Sequence, residues 1–334
     1  MELASRLGFI FGFKFYSFFL SSLTFFDKRF IVLGYYFYFS NLLQFYFLSN
    51  MTTLITGATA GIGRETAFKM ATFGSNLILP VRNLSKGEKL KTEILAQNPN
   101  ITVDLFECDF NSLVSIKSFV DLLAAQNQKF QILINNVGIW NKEKKLSADG
   151  IEQTFAVNHL SVFLLTSLIL KNNLLENKDG KARIVNLSSM GHYLASPDWN
   201  DLEFTSRKFS SQMSYYNSKL YNVLFTQKLA KILAENKENN PYYSNITCNC
   251  LHPGIVNTQL LIMPKIVRQM LGWLIMTPEK GAVTSFFVAT DKSLESTTGL
   301  YFDNCKIKKP SGLASLENQD KLWEISQKIL EKFL

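Results

Sequence analysis

The segment Tyr215-Tyr216-Asn217-Ser218-Lys219 sets a phenol and an ammonium four residues apart. On a helix, positions i and i+4 share a face, so Tyr215 and Lys219 would point into one cleft. A phenol titrates near ~10 and is a poor acid or base at neutral pH. A neighbouring ammonium favours the phenolate, so Lys219 is expected to lower that value. Upstream, residues 184–189 read as a buried strand that ends in Ser188-Ser189. A hydroxyl at the C-terminal end of a strand can hydrogen-bond a substrate oxygen. Together these residue types suit proton transfer at an alcohol or carbonyl oxygen. Tyr216 points about 100° away on the same helix and reads as core. His159 and His192 read as hydrogen-bonded helpers, and His252, which precedes a proline, as structural.

A second constellation concerns phosphate. An apolar run leads into Thr56-Gly57-Ala58-Thr59-Ala60-Gly61-Ile62-Gly63, and a helix is expected from about Arg64. Gly57 allows a tight turn, Gly61 a close approach of backbone to a pyrophosphate, and Gly63 close packing of helix on strand. The helix start, with the backbone of Thr59 and Ile62 beside it, offers unpaired N–H groups to the anion. An NAD site usually ends its second strand with Asp or Glu. Here that strand, residues 76–81, is followed by Arg82-Asn83. Arg82, with Arg64 as a second cation, suits a 2′-phosphate. The expected cofactor is therefore NADP(H).

The spacing Gly-x-x-x-Gly-x-Gly is similar to that of the short-chain dehydrogenase/reductase family. The resemblance covers nearly all of residues 51–334 and implies a Rossmann-type fold. It assigns the catalytic role to the second serine, Ser189, alongside Tyr215 and Lys219. It matches Asn158, in Val157-Asn158-His159-Leu160, to the asparagine that supports a water-linked proton relay through the lysine. Asp109 corresponds to a residue near the adenine ring. Asn136 and Gly138 fall in Asn135-Asn136-Val137-Gly138, which resembles Asn-Asn-Ala-Gly with Val137 in place of Ala. Pro253, Gly254 and Thr258 resemble the segment that contacts the nicotinamide. Ser161 stands where relatives often carry Gly. The stretches around Asn222-Val223-Leu224-Phe225, Thr298-Gly299-Leu300-Tyr301-Phe302 and Lys321-Leu322-Trp323 resemble the retinol dehydrogenase branch. That branch implies an apolar alcohol or aldehyde substrate, such as a retinoid or lipid aldehyde. Steroids or small quinones and ketones would use the same chemistry. A catalytically silent NADP(H)-binding regulator would be favoured by a broken Asn–Ser–Tyr–Lys set, and the set is intact. A homodimer is compatible with the family.

These residues need a scaffold. From Met51 onward, apolar runs at residues 53–56, 76–81, 101–106, 132–134, 183–187 and 246–250 alternate with helical stretches. That rhythm implies βαβ units and an α/β, doubly wound parallel sheet forming one domain over residues 51–334. Residues 313–333 read as a closing helix. Residues 260–276 are rich in Leu, Ile and Met and suit either an apolar pocket wall or an amphipathic core helix. The formal net charge of +8 is spread along the chain. No Lys/Arg block carries interleaved aromatics, so nucleic acid is not an expected partner. Cys108, Cys248, Cys250 and Cys305 form no CxxC pair, and with three histidines no metal pattern is complete. Reduced thiols and no disulfide are expected.

Residues 1–50 differ from the rest: 13 of the 28 phenylalanines and five of the 12 tyrosines lie there. The apolar stretches 7–26 and 30–48 each approach the ~20 residues that span a bilayer. Three readings stay open for this apolar extension. It is a membrane anchor of one or two helices, a targeting segment, or a stretch absent from a protein that starts at Met51. The first places the catalytic domain on the cytosolic side of an endoplasmic-reticulum-like membrane, and the last in the cytoplasm.

Overall fold

The computed structural model describes residues 51–176, 180–256 and 276–334. The leader, Thr258 and most of the 260–276 segment lie outside the described residues. Eight strands form one sheet: β1 (Thr52–Ile55), β2 (Asn76–Val81), β3 (Val103–Glu107), β4 (Ile132–Asn135), β5 (Ala182–Leu187), β6 (Ile246–His252), β7 (Tyr301–Asp303) and β8 (Lys306–Lys308). Their order is β3-β2-β1-β4-β5-β6-β7-β8, and every pairing is parallel except β7 with β8. Central strands such as β4 and β5 are buried along their whole length, as a sheet covered on both faces requires.

The crossover helices are α1 (Gly61–Thr72), α2 (Leu84–Gln97), α3 (Leu113–Ala125), α4 (Gln153–Lys171), α5 (Ser211–Glu235) and α6 (Pro278–Thr290); α7 (Leu316–Leu330) closes the chain. Contacts link α1 with α2 and α6 in one layer, and α3 with α4 and α5 with α7 in the other. Side-chain caps fix several helix starts. Asn83 accepts from Lys86 N, Ser112 from Ser115 N, Ser210 from Met213 N and Ser315 from Asn318 N. Although α4 is apolar enough to cross a membrane, 89% of its most apolar window is buried, which is the behaviour of a core helix.

All six expected strands are present, with shifts of one or two residues at their ends. The closing helix is shorter than the expected 313–333 because Ser315 caps it. β7 and β8 were not expected as strands. Each has only three residues, too few for an alternation pattern, and β8 is exposed throughout. The four cysteines are free, and Cys108, Cys248 and Cys250 are buried.

The aromatic interior lies between α4, α5 and α7. Trp323 packs on Phe163 at 4.6 Å and on Phe225 at 5.9 Å between ring centroids. In their midst His159 Nε2 and Ser326 Oγ are 2.8 Å apart. Burial pulls the His159 imidazole down to about 3 and His252 to about 4, and it lowers His192 as well. Each is therefore neutral when folded but protonates near ~6.5 when unfolded. Below that pH the unfolded chain binds more protons, so stability falls as pH drops from about 6.5 toward the folded values. We expect the melting temperature to decline over this window. His159→Phe should flatten the slope by one proton, about 1.4 kcal/mol per pH unit. An unchanged slope would count against a neutral, buried His159.

Candidate active site

β1 pairs with β2 on one side and β4 on the other, so the strand order reverses between β1 and β4. A crevice opens at the C-terminal ends of such strands. Thr56 continues β1 into it, and its hydroxyl oxygen accepts from Asn136 N and Val137 N, both at 2.9 Å. The Asn136 side chain in turn donates to Thr56 O at 2.9 Å and Gly57 O at 3.3 Å. The glycine turn is thereby fastened to the end of β4. Gly57 and Gly61 hold φ values of +67° and +56°, which side-chain-bearing residues rarely adopt. A Cβ on Gly63 would lie 2.3 Å from Gly57 O. Ala60 provides no side-chain cap to α1, so the first-turn N–H groups and the helix dipole face the crevice without a competing carboxylate. This cradle fits a pyrophosphate.

The two arginines beside it are placed differently. The Arg64 guanidinium is bonded to Glu65 at 2.8 Å and Glu93 at 2.6 Å, and it lies over the Phe68 ring. Arg64, expected beside a 2′-phosphate, meets in Glu93 a carboxylate from α2 that the local sequence did not reveal. Arg82 is exposed at the end of β2 and forms no ion pair among the described residues. Asp109 follows β3 and accepts from Asn111 N at 3.0 Å. Thr59 and Ile62 are half-buried in the turn.

Tyr215 and Lys219 lie one turn apart on α5. Ser189 caps the short 3-10 turn Met190–Leu194 just beyond β5, and its hydroxyl oxygen accepts from Gly191 N at 3.2 Å. The Ser189 hydroxyl lies near enough to the Tyr215 phenol to favour its ionised form. Ser188, by contrast, donates to Lys219 O at 2.7 Å and is buried, so its hydroxyl belongs to the scaffold. Lys219 Nζ donates to Leu187 O at 3.3 Å and stands 5.6 Å from the Tyr215 ring centroid. Burial lowers the lysine to about 8. Burial raises Tyr215 to about 12, opposed by the nearby Ser189 hydroxyl. The expected lowering of the phenol by Lys219 is not found: desolvation raises it, and the Lys219 ammonium is turned to the Leu187 carbonyl.

Asn158 lies in a π-turn, Ala156–Leu160, within α4. Such one-turn bulges occur frequently at functional sites. Its Oδ1 accepts from Ile139 N at 2.7 Å, and its Nδ2 donates to Ile139 O and to Ser218 Oγ, each at 2.9 Å. Ser218 donates to Tyr215 O at 2.7 Å. Asn158 therefore clamps the loop after β4 to α5. A Cβ on Gly138 would lie 3.3 Å from Lys219 Nζ and 3.5 Å from Asn158 Oδ1, so this glycine keeps the space between them open. Pro253 and Gly254 follow β6, with Gly254 at φ +94°. His159 and His192 have structural bonds; His192, for example, has its ring nitrogens on Ser189 O and Ser311 N.

Two contributors escaped sequence reasoning. Ser218 was legible in principle, three residues after Tyr215 on the same helix. Trp140 was not: it stacks on Tyr215 at 4.3 Å and 5° from across the crevice.

Residues 51–264 match the model of the short chain dehydrogenase family. Retinol dehydrogenase 11 of Mus musculus is 35% identical, covering 85% of this chain and 87% of its own length. Retinol dehydrogenase 13 of Homo sapiens is 33% identical and covers 84% of each. Short-chain dehydrogenase TIC 32 A, chloroplastic, of Brassica napus is 34% identical over 84% of this chain and 89% of its own. Among solved structures, an uncharacterized protein from Mycobacterium Paratuberculosis superposes with a TM-score of 0.68 at 26% identity, covering 84% of this chain and 94% of that one. A short chain dehydrogenase from Burkholderia cenocepacia J2315 in complex with NADP shares the fold, with a TM-score of 0.59 at 21% identity over 77% and 96%.

Proposed function

Since the chain belongs to the short chain dehydrogenase family, a family of oxidoreductases, we propose that it interconverts an apolar alcohol and its aldehyde or ketone with NADP(H). The observation that carries this reading is the meeting of Ser189, just beyond β5, with Tyr215 and, one helical turn on, Lys219 of α5. NADPH, when bound, supplies the hydride to the carbonyl carbon. The chain's part is proton delivery and positioning. Ser189 and Tyr215 converge on the carbonyl oxygen, and Tyr215 gives up its phenolic proton as negative charge develops there. A phenol held near 12 is protonated at neutral pH, which suits the acid role in carbonyl reduction. Lys219, Asn158 and Gly138 keep the far side of the site polar and open. For the cofactor, the uncapped start of α1 would take the pyrophosphate and Arg82 the 2′-phosphate.

Three exposed apolar side chains, Met190, Tyr193 and Leu194, follow Ser189 directly. They support an apolar substrate, as do the names of the retinol dehydrogenase relatives. The test is oxidation of NADPH and of NADH by purified protein with aldehydes and ketones of graded length. Faster turnover with NADPH and long apolar carbonyls is expected; equal use of both cofactors would overturn the NADP(H) assignment. Arg82→Asp should raise KM for NADPH about tenfold or more, the scale of a lost charge-assisted bond. Arg64→Ala should change it by no more than about threefold, since its ion pairs are exposed and already made. The reverse order would move the phosphate contact from Arg82 to Arg64.

A further inference from the structure

Trp140 lies two residues beyond Gly138, on the loop after β4. Its indole is nearly parallel to the Tyr215 ring, 5° apart in plane and 4.3 Å between centroids. The indole is itself held in place. Nε1 donates to Ser211 O at 3.1 Å and to Ser211 Oγ at 3.0 Å, and Ser211 Oγ reaches back to Asn141 O at 2.6 Å. Tyr216 packs on its edge at 6.1 Å. One face of the Tyr215 ring is thus stacked by a side chain whose orientation is fixed at its far end.

We propose that Trp140 is the positioning residue of Tyr215 and a wall of the substrate cleft that selects aldehydes over ketones. The inference rests on the oxidoreductase reading above and deepens it. A carbonyl oxygen that meets both Ser189 and Tyr215 brings its carbon, with two substituents, close to the phenol. Where the indole covers the ring, the substituent turned to that side has little depth. A hydrogen fits there; a methyl or methylene group meets the indole. An aldehyde satisfies this arrangement in one orientation, whereas a ketone has a carbon on both sides. The same cover keeps water off the phenol, in line with the raised Tyr215 titration.

The experiment uses the full chain with Trp140→Ala, Trp140→Phe and Ser211→Ala, each with and without Tyr215→Phe. Tyrosinate absorbance is titrated without substrate, and the Tyr215 signal is taken as the difference between each pair. Trp140→Ala should bring the Tyr215 transition down by about one pH unit or more as water returns to the ring. Trp140→Phe, which keeps a ring in place, should restore most of it. The second readout is the kcat/KM ratio for nonanal over 2-nonanone. It should fall about tenfold or more in Trp140→Ala, the scale of one methylene in a pocket, and mainly through a gain for the ketone. Ser211→Ala should shift both readouts in the same direction by less. If Trp140→Ala fails to fold, Trp140→Leu, which also removes the stacked ring, takes its place beside Ser211→Ala. A titration and ratio unchanged in these variants, with any loss confined to melting temperature, would make Trp140 a packing residue and overturn the proposal. Full turnover in Tyr215→Phe would instead overturn the catalytic reading itself.

Discussion

Tyr215→Phe should remove nearly all turnover while leaving NADPH binding near normal. The substitution deletes one oxygen. The ring keeps its shape and its stack on Trp140 at 4.3 Å, and Lys219 keeps its carbonyl partner on Leu187. What disappears is the phenolic hydroxyl beside Ser189, the proposed proton donor. Losses for a positioned acid or base run ~100-fold or more. NADPH oxidation with the best aldehyde gives the rate, and fluorescence titration with NADPH gives the binding. More than about a tenth of the turnover retained would remove Tyr215 from the role. Lost binding together with lost turnover would point to a folding defect, which the melting temperature reads separately.

The second large effect is expected at Gly63. A Cβ there would stand 2.3 Å from Gly57 O and 2.4 Å from Asn136 Nδ2. Neither neighbour can give way cheaply. Gly57 O is backbone in a turn at positive φ, and the Asn136 amide bonds both Thr56 O and Gly57 O. Gly63→Ala must therefore push α1 away from β1, at a cost of about 1–3 kcal/mol. For a domain of this size the melting temperature should fall by several degrees, at about 2–4 °C per kcal/mol. The same displacement opens the phosphate cradle, so NADPH affinity should fall more than stability does. Gly312→Ala is the control, since nothing lies within 4 Å of a Cβ there and its φ is not positive; it should stay within about 0.5 kcal/mol. Normal melting and normal NADPH affinity in Gly63→Ala would refute the close approach.

Much of this architecture was legible because it is written in local periodicities. Tyr215 and Lys219 share a face by helical spacing, Ser189 ends a run that could only be a buried strand, and the glycine turn joins the first strand to the first helix. What escaped depends on chain partners far apart in sequence. Glu93, on α2, captures Arg64 from α1. Trp140 comes to Tyr215 from the loop after β4, and no spacing rule reports that pair. The direction of the phenol's titration was misjudged for a related reason: the opposing ammonium is visible in sequence, whereas the desolvating environment is assembled only by the fold. β7 and β8 show the limit of pattern itself, being too short to display one.

The packing of Trp323 and Ser326 against Phe163, Phe225 and His159 has a consequence for biosynthesis. Asn158, Ser189, Tyr215 and Lys219 have all left the ribosome long before residues 316–330 are made. Until they arrive, the side of α4 and α5 turned away from the sheet is an oily surface with a bare imidazole at its centre. The nascent chain must carry that surface through the synthesis of about eighty further residues after α5. It is during this interval that a folding helper would find a binding site. A message truncated before residue 316 would still encode all four of these residues, in a chain with an open interior that the cell's quality control would treat as unfinished.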